Sequence, residues 1–443
     1  MGRYGCQFAL LLAVGAGACA AARGALAEPS APPARPAAAA TLSSRELLEL
    51  YGVDESYFRS LIDGRPLHDD ESEALLRTVF TLRRLRALDL FRAERSAAAL
   101  GAVLADPAAH RGQLVRLAGQ ATGVTALTPL PELIERFELP RYYRCELELA
   151  DPPHKAILYT ATIPRSWPGG FTAPQPVAAW GFFLKDEGGG ATPLPVFVAP
   201  RLEWHPNTPL GRLGVDVSLL DELRQRQRLT GEDREAFYAV LDAVGRAPAV
   251  GAADSAPTPV TAEFAQRLFA DPATLVGANL WLDGVVRRAV RIRVNDPDVI
   301  ERYGIDHYYE LEIFVDVPRL AAPHNPLIHV VCVRSVPEGF PLGENLNVAA
   351  RVHAYFLKLW SYRSKLAEQS GEGFRQVAPL CLGREPTLAA PPEDRRNFLG
   401  SVATAILAGI VLLAVLVAWR SRREDARTRR NLRHDELPLD LGS

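Results

Sequence analysis

The stretch ADPAAHRGQLVRLAG, residues 105–119, recurs without a gap as ADPATLVGANLWLDG, residues 270–284. Both copies follow the pattern ADPAxxxGxxxxLxG, in which an Asp-Pro turn leads into an apolar segment of strand length. Similarity of a chain to itself at a nearly constant offset is the sequence signature of a repeated structural unit. The sequence therefore predicts a tandem duplication.

Other short motifs repeat in the same order. Tyr142-Tyr143 recurs as Tyr308-Tyr309, and Phe183-Leu184-Lys185 recurs as Phe356-Leu357-Lys358. The offset between copies is 165 residues at the ADPA motif and 173 at the Phe-Leu-Lys motif, as small loop insertions would produce. The duplication therefore covers most of the chain between its two ends.

Each copy begins with a predicted helical segment, residues 43–104 in the first and 208–269 in the second. Ser43 and Glu46 have the spacing of a capping box, in which each side chain accepts a hydrogen bond from a free backbone N–H at a helix start. Further along, apolar residues recur at helical spacing. Residues 247–260, APAVGAADSAPTPV, interrupt the second helical segment.

Each copy then contains five apolar runs of strand length, separated by turn residues. They are Leu114–Ala121, Tyr142–Leu149, Ala156–Ile163, Val177–Leu184 and Leu194–Ala199 in the first copy. In the second they are Asn279–Val286, Tyr308–Val315, Ile328–Val333, Asn347–Leu357 and Ala378–Leu382. Five such strands favour a small closed barrel, because closure removes exposed strand edges. We therefore predict an α+β fold with barrels over residues 105–206 and 270–386, and a small β-sandwich is the alternative.

We refer to residues 43–206 as module 1 and to residues 208–386 as module 2. The first strand ending in LxG, the strand pair that follows, and the turn into GFFLK (residues 181–185) or AYFLK (residues 354–358) resemble the OB-fold of the tRNA-anticodon-like type. The chain is similar in this respect to two-module membrane proteins of planctomycete bacteria. The resemblance implies a five-stranded barrel with a face suited to binding, and it implies no catalytic residue.

The N-terminal residues 1–27 are typical of an export signal. Arg3 precedes an apolar stretch, and Ala25-Leu26-Ala27 has the small-x-small pattern that signal peptidase cleaves. An uncleaved N-terminal anchor and lipoprotein processing before Cys19 are the alternatives. Residues 28–42 are rich in Pro and Ala and are predicted to be a linker.

Near the C-terminus, residues 398–419 form a run of 22 residues without a charged side chain. At a rise of about 1.5 Å per residue, a helix of this length crosses a hydrocarbon core about 30 Å thick. The tail, residues 420–443, is rich in arginine, and excess basic residues stay on the cytoplasmic side. We therefore predict a single-pass type I protein of the cytoplasmic membrane, with an extracytoplasmic body, a tether over residues 387–397 and a cytoplasmic tail.

Within the predicted transmembrane helix, Ser401, Ala405 and Gly409 share one face at four-residue spacing. Small residues at this spacing allow two helices to approach closely. A homodimer formed through this face is one hypothesis. The ordinary composition of an alanine-rich chain explains the same pattern.

Composition limits the classes of partner. The chain carries 50 basic and 52 acidic residues, and much of the basic excess lies in the tail, so the body is mildly acidic. Nucleic-acid binding depends on basic residues that displace phosphate counterions, so nucleic acid is not a predicted partner. Cys145, Cys332 and Cys381 are too few for a disulfide framework. They are interpreted as small buried residues, and a Cys332–Cys381 bridge is the alternative.

The sequence contains no GxSxG, HExxH, CxxC or P-loop motif. No catalytic residue, metal ligand or cofactor is therefore predicted. Module 2 nevertheless contains His307, His324, His329 and His353, and alternating strand positions can bring histidines together around a metal ion. A metal-dependent enzyme built on these histidines is an alternative to a non-catalytic role.

Six residues are candidates for a ligand-binding face. Tyr142 and Tyr143 occupy opposite sides of one strand, as do Tyr308 and Tyr309 in module 2, so one tyrosine of each pair is expected in the core. The other is expected to be exposed, where it can stack on a ligand. Lys185 and Lys358 end the fourth strand of each copy and are candidates for an anion contact, or are ordinary strand-end lysines.

These features predict a non-catalytic envelope protein that presents two OB-like modules for binding or assembly, with a protein partner in the envelope. An extracytoplasmic polysaccharide- or nucleic-acid-binding protein that uses the exposed tyrosines is an alternative. The metal-dependent enzyme described above is the other.

Overall fold

The computed structural model describes residues 42–151, 153–168, 170–188, 192–247, 257–320, 326–362, 376–389 and 406–420. All of them belong to one contact-defined unit, Thr41–Ser443. The predicted signal peptide and nearly all of the predicted linker lie outside the described residues, as do most of the tether and the tail.

Along the described chain, ten α-helices and thirteen strands follow one another between Ser44 and Leu388, and a further helix covers residues 406–420. The helices are α1 (Ser44–Leu50), α2 (Glu55–Phe58), α3 (Ser72–Leu82), α4 (Ala87–Ala93), α5 (Leu100–Ala105), α6 (Pro131–Phe137), α7 (Pro209–Arg212), α8 (Arg234–Arg246), α9 (Ala262–Ala270) and α10 (Pro297–Tyr303). The strands of module 1 are β1 (Leu114–Leu127), β2 (Tyr142–Ala150), β3 (Pro153–Thr160), β4 (Gln175–Asp186), β5 (Pro195–Val198) and β6 (Glu203–Trp204). Those of the rest of the chain are β7 (Thr258–Pro259), β8 (Asn279–Arg293), β9 (His307–Val315), β10 (Leu327–Val333), β11 (Gly343–Tyr362), β12 (Gln376–Gly383) and β13 (Thr387–Leu388).

The predicted mixed α+β class is confirmed, with one sheet in each module. In sheet 1 the strands follow the order β1-β2-β3-β5-β4-β6, and β4 also pairs with β1, so the pairings of the first five strands close into a ring. In sheet 2 the strands β8, β9, β10, β12 and β11 close in the same way. Each ring contains one parallel pair, β3 with β5 and β10 with β12. The two copies thus share strand order and strand direction.

Each sheet has a ring-side core and a helix-side core, because successive side chains of a strand point to opposite faces. In β4, Phe183 packs inside the ring with residues such as Leu147. Its neighbour Phe182 packs on the other face against helix α3, where Leu75 and Val79 are fully buried. Apolar residues at successive positions of a strand therefore form both the core inside the ring and the surface on which the helical segment packs.

The predicted capping box is present, because Ser43 Oγ accepts from the backbone N–H of Glu46 and Glu46 accepts from the backbone N–H of Ser43. Helix α3 of module 1 and helix α8 of module 2 occupy equivalent positions in the repeat. The three cysteines Cys145, Cys332 and Cys381 are buried and free, so the alternative of a Cys332–Cys381 bridge is wrong.

At the C-terminal end, residues 406–420 form a helix with exposed side chains. Among the described residues, no helix combines the length and the apolar character of a candidate membrane span. Ser401 and Ala405 lie outside the described residues. Gly409 lies in the helix, and a Cβ added there would meet no atom within 4 Å.

Candidate functional site

A buried ion pair joins the helical segment of module 1 to its sheet. Lys185 Nζ donates to both carboxylate oxygens of Glu71 at 2.8 Å, and neither side chain is exposed. Glu71 is the N-cap residue of α3, and its carboxylate also accepts from the backbone N–H groups of Ile62 and His68 at 2.7 and 2.9 Å. Burial alone would raise the pKa of Glu71, but Lys185 and these N–H groups hold it below the usual value.

Module 2 repeats this ion pair with a shorter acid. Lys358 Nζ donates to the two carboxylate oxygens of Asp233 at 2.9 and 3.0 Å, and both side chains are buried. Asp233 is the N-cap residue of α8, and its carboxylate accepts from the backbone N–H of Thr230 at 2.8 Å. A negative charge at a helix N-terminus is favourable, so both carboxylates also stabilise the helices that follow them.

A β-bulge in each module determines the side of the sheet to which the lysine side chain points. The pairing register shifts between Phe183 and Lys185, and again between Phe356 and Lys358. The extra residue at a bulge re-aims the side chain that follows it. Leu184 and Lys185 consequently both point to the helix side of sheet 1.

The assignment of Lys185 and Lys358 to a ligand-binding face is therefore wrong. Both side chains are fully buried, and each ammonium is used by a carboxylate of its own module. A strand-end lysine is usually solvated, and these two are buried because a bulge turns them toward a helix N-cap.

The four candidate tyrosines are partly buried. Tyr142 and Tyr308 pack on the helix side, where Tyr142 lies 6.1 Å from Tyr159 and Tyr308 lies 5.5 Å from Phe237 between ring centroids. Burial raises the pKa of both Tyr142 and Tyr308. Tyr143 and Tyr309 pack against the ring interiors. A ligand-stacking role for these tyrosines stays a prediction, which this packing does not favour.

Three of the four candidate histidines of module 2 lie among the described residues. His329 is fully buried, and its Nε2 has no hydrogen-bond partner among the described residues. Burial lowers the pKa of His329 to about 4. His353 lies on β11 beside Trp281, with ring centroids 5.3 Å apart, and His324 lies outside the described residues. In the part of the chain that is described, no group of three or more His, Cys, Asp or Glu side chains is arranged to hold a metal ion.

A cleft of about 650 Å³ lies between the two modules, and we call it the intermodule cleft. One wall is formed by α4 and the residues around it, including Leu88, Phe91 and Glu94. Sheet 1 contributes Trp180 and module 2 contributes Tyr303. A cleft of this volume with aromatic walls and a few polar groups has the usual character of a small-molecule site.

A salt bridge connects the two modules beside the intermodule cleft. Arg92 of α4 donates to both carboxylate oxygens of Glu301 of α10, at 2.9 and 2.7 Å. The bidentate geometry adds orientation to the attraction. The hydrogen bonds from Arg92 lower the pKa of Glu301. Both side chains are about one-third exposed, so their net contribution to stability is modest.

Most charges around the intermodule cleft are paired. Arg302 donates to both carboxylate oxygens of Glu235 at 2.9 and 2.8 Å. Arg116 donates to both carboxylate oxygens of Glu203 at 2.9 and 2.8 Å. Burial would raise the pKa of Glu203, but His205 and Arg116 lower it to about 2.

Glu94 differs from the other acids that line the intermodule cleft. Among the described residues, its carboxyl group has no hydrogen bond or ion pair, whereas Glu203, Glu235 and Asp298 each have an arginine partner. Burial raises the pKa of Glu94 to about 7, with opposing effects from Arg116, which lowers it, and Glu203, which raises it. This carboxyl group therefore changes its charge near neutral pH, which is typical of functional sites.

Sequence reasoning missed Glu94 and the intermodule cleft. Helix α4 lies where the two copies diverge, because the corresponding part of module 2 falls in the Pro- and Ala-rich stretch 247–260. That divergence is the one sequence signal that points to the region. No motif marks Glu94 itself.

Comparisons with known proteins add little. No protein-family model matches the sequence, and no curated protein matches it. A crystal structure of the single-stranded DNA binding protein from Thermus aquaticus is similar over 63% of this chain and 94% of that chain, at 9% identity and a TM-score of 0.15. A TM-score this low supports no inference about fold or function.

Proposed function

We propose that the protein is a non-catalytic, membrane-anchored binding protein of the cell envelope, and that its ligand or assembly partner occupies the intermodule cleft. The observation that carries this proposal is that the two modules build the cleft together. Each helical segment is fixed to its own sheet by a buried ion pair, and Arg92 with Glu301 connects the modules. Two copies held in this way form a preorganised site, which reduces the entropic cost of binding.

Each ring of strands is proposed to be a five-stranded OB-like barrel. The pairing of β1 with β4 and of β8 with β11 supports a barrel over a sandwich, because a ring of pairings leaves no unpaired edge among those five strands. The barrels serve as rigid supports, and the ligand contacts come from α4 and from the sides of both modules.

Membrane anchoring is proposed from the uncharged run 398–419, the arginine-rich tail and the export signal. The body would then lie outside the cytoplasmic membrane. Association of two copies through the face of Ser401, Ala405 and Gly409 remains part of this proposal. Cell fractionation tests the anchor: the full chain is expected in the membrane pellet after alkaline washing, and a chain that ends at residue 397 is expected in the soluble fraction. Recovery of both chains in the soluble fraction would contradict the anchor.

A substitution that fills the intermodule cleft with a larger side chain tests the proposed binding function. Leu88 lines the intermodule cleft, so Leu88→Trp is expected to occupy part of its volume. Leu50→Trp is the matched control, because Leu50 is 67% exposed and lies outside the cleft. The full chain in detergent is screened against small cationic, neutral and anionic aromatic compounds by thermal shift. Compounds that stabilise the wild type and Leu50→Trp, and not Leu88→Trp, support the proposal. A screen in which no compound stabilises the wild type would contradict it.

A further inference from the structure

The charge balance of the intermodule cleft distinguishes between classes of ligand. Four arginines line it, and each has a carboxylate within 4 Å: Arg86 with Asp89, Arg201 with Asp216, Arg234 with Asp296 and Arg302 with Glu235. An anion that recruited one of these arginines would compete with a carboxylate and leave that acid without its partner. Breaking such a pair is costly for Arg234 and Arg302, whose side chains are 28% and 11% exposed, and costs little for the more exposed Arg86 and Arg201. The two more buried arginines therefore do not favour an anionic ligand.

Glu94 has the opposite character. Its carboxyl group has no partner among the described side chains, and it lies in a wall that is otherwise largely apolar, with Leu88, Leu90 and Phe91 beside it. The groups that face it from the packed elements are Arg116 and Glu203 of sheet 1 and Arg302 of α10. Arg116 and Arg302 already bind Glu203 and Glu235, and although both lower the pKa of Glu94, neither forms an ion pair with it.

We infer that the intermodule cleft binds an organic cation with an apolar body, such as an aryl- or alkylammonium group, and that Glu94 is its counter-ion. This inference rests on the proposed binding function of the cleft and names its ligand class. The ammonium group would supply the hydrogen-bond donors that Glu94 lacks, and Phe91, Trp180 and Tyr303 would contact the apolar body. Each of these three rings already has an arginine guanidinium within 6 Å of its centroid, so we expect the rings to contribute apolar contact and not cation–π attraction.

The binding should depend on pH in a defined direction. Because burial raises the pKa of Glu94 to about 7, the carboxyl group is mostly protonated at pH 6 and mostly ionised at pH 8. A bound ammonium favours the ionised form, so affinity is expected to rise from pH 6 to pH 8. Binding at pH 7 is expected to release protons from Glu94, because the cation lowers its pKa.

The test measures binding of three matched compounds to the full chain in detergent by calorimetry. Benzylammonium is the cationic probe, benzyl alcohol is the neutral one and benzoate is the anionic one. We expect benzylammonium to bind about tenfold more tightly than either of the others at pH 8, a preference equivalent to about 1.4 kcal/mol. Glu94→Gln should remove that preference. Glu232→Gln, a change at an acid that is 58% exposed and outside the cleft, should preserve it.

The outcomes separate this inference from the proposed function. If benzyl alcohol or benzoate binds as tightly as benzylammonium, and Leu88→Trp abolishes that binding, the cleft is a binding site but the cationic ligand class is wrong. If Glu94→Gln leaves the preference for benzylammonium unchanged, the role of Glu94 is wrong. If none of the three compounds binds, the inference is overturned, and a failed wider screen would then overturn the proposed function as well.

Discussion

Lys185 and Glu71, which lie 114 residues apart in the chain, form a fully buried ion pair that fixes a helix N-terminus to a strand. Removing the ammonium would leave a buried carboxylate with its two backbone donors and, at 3.7 Å, the partly exposed guanidinium of Arg65, but without its hydrogen-bonded counter-ion. We therefore expect Lys185→Met to lower the free energy of unfolding by about 3–5 kcal/mol, measured by urea denaturation. Lys155→Met is the control, because Lys155 is exposed, and it should change stability by less than about 0.5 kcal/mol. A small effect of Lys185→Met would contradict the role assigned to the pair.

Removing both charges together should cost less than removing one. In the double variant Lys185→Met with Glu71→Leu, no uncompensated charge remains in the core. Its free energy of unfolding should exceed that of Lys185→Met alone. Equal or lower stability of the double variant would show that the backbone hydrogen bonds of Glu71, to Ile62 and His68, matter more than its charge.

The equivalent pair of module 2 should act independently. Lys358 and Asp233 belong to a different core from Lys185 and Glu71, and distant sites usually contribute additively. We expect the destabilisation by Lys358→Met to add to that by Lys185→Met, within about 0.5 kcal/mol. Urea denaturation of the single and double lysine variants measures this sum. A large departure from additivity would mean that the two ion pairs are energetically coupled and would contradict this prediction.

Because His329 is buried with a lowered pKa, we expect the folded protein to lose stability in acid. Its pKa is about 4 in the folded protein and 6.5 by its ordinary value, so the unfolded chain binds more protons between these limits. The contribution of neutral His329 is therefore complete above pH 6.5 and is lost as the pH falls toward 4, by at most about 3 kcal/mol. His329→Leu should flatten this part of the profile of urea midpoint against pH. The same change at His68, which is 67% exposed, should leave the profile as it is.

For Glu94 we expect the free energy of unfolding to depend on pH in the opposite direction. Its folded pKa of about 7 lies above its ordinary value of 4.5, so the folded state favours the protonated carboxyl group. Stability from this source is present below pH 4.5 and is lost as the pH rises toward 7. Glu94→Gln should therefore be more stable than the wild type at pH 8, and the difference should disappear near pH 4. Thermal unfolding at the two pH values measures it, and a variant that is less stable at pH 8 would contradict the prediction.

Periodicity along the chain was sufficient for the five main strands of each module, but it did not predict the helices α6 and α10 within the barrel segments. Every predicted apolar run overlaps a strand, for example Leu114–Ala121 in β1 and Asn347–Leu357 in β11, because a strand with two buried faces is visible as a local pattern. The β-bulges after Phe183 and Phe356 were not predictable, since a bulge depends on the register with a neighbouring strand.

The candidate site was much less accessible to prediction. Lys185 looks like any strand-end lysine until Glu71 is placed opposite it by the fold. Burial and the neighbouring Glu203 raise the pKa of Glu94, whereas Arg116 and Arg302 lower it, and these neighbours come from distant parts of the chain. Contacts of this kind arise from tertiary packing, so neither spacing nor composition indicates them.

The most direct test of the account is a crystal structure of the full chain grown with benzylammonium at pH 8. The account predicts that the compound occupies the intermodule cleft, with its ammonium nitrogen within about 3 Å of a carboxylate oxygen of Glu94 and its ring against Phe91, Trp180 or Tyr303. An empty cleft, or a compound bound there with its ammonium group directed away from Glu94, would contradict it.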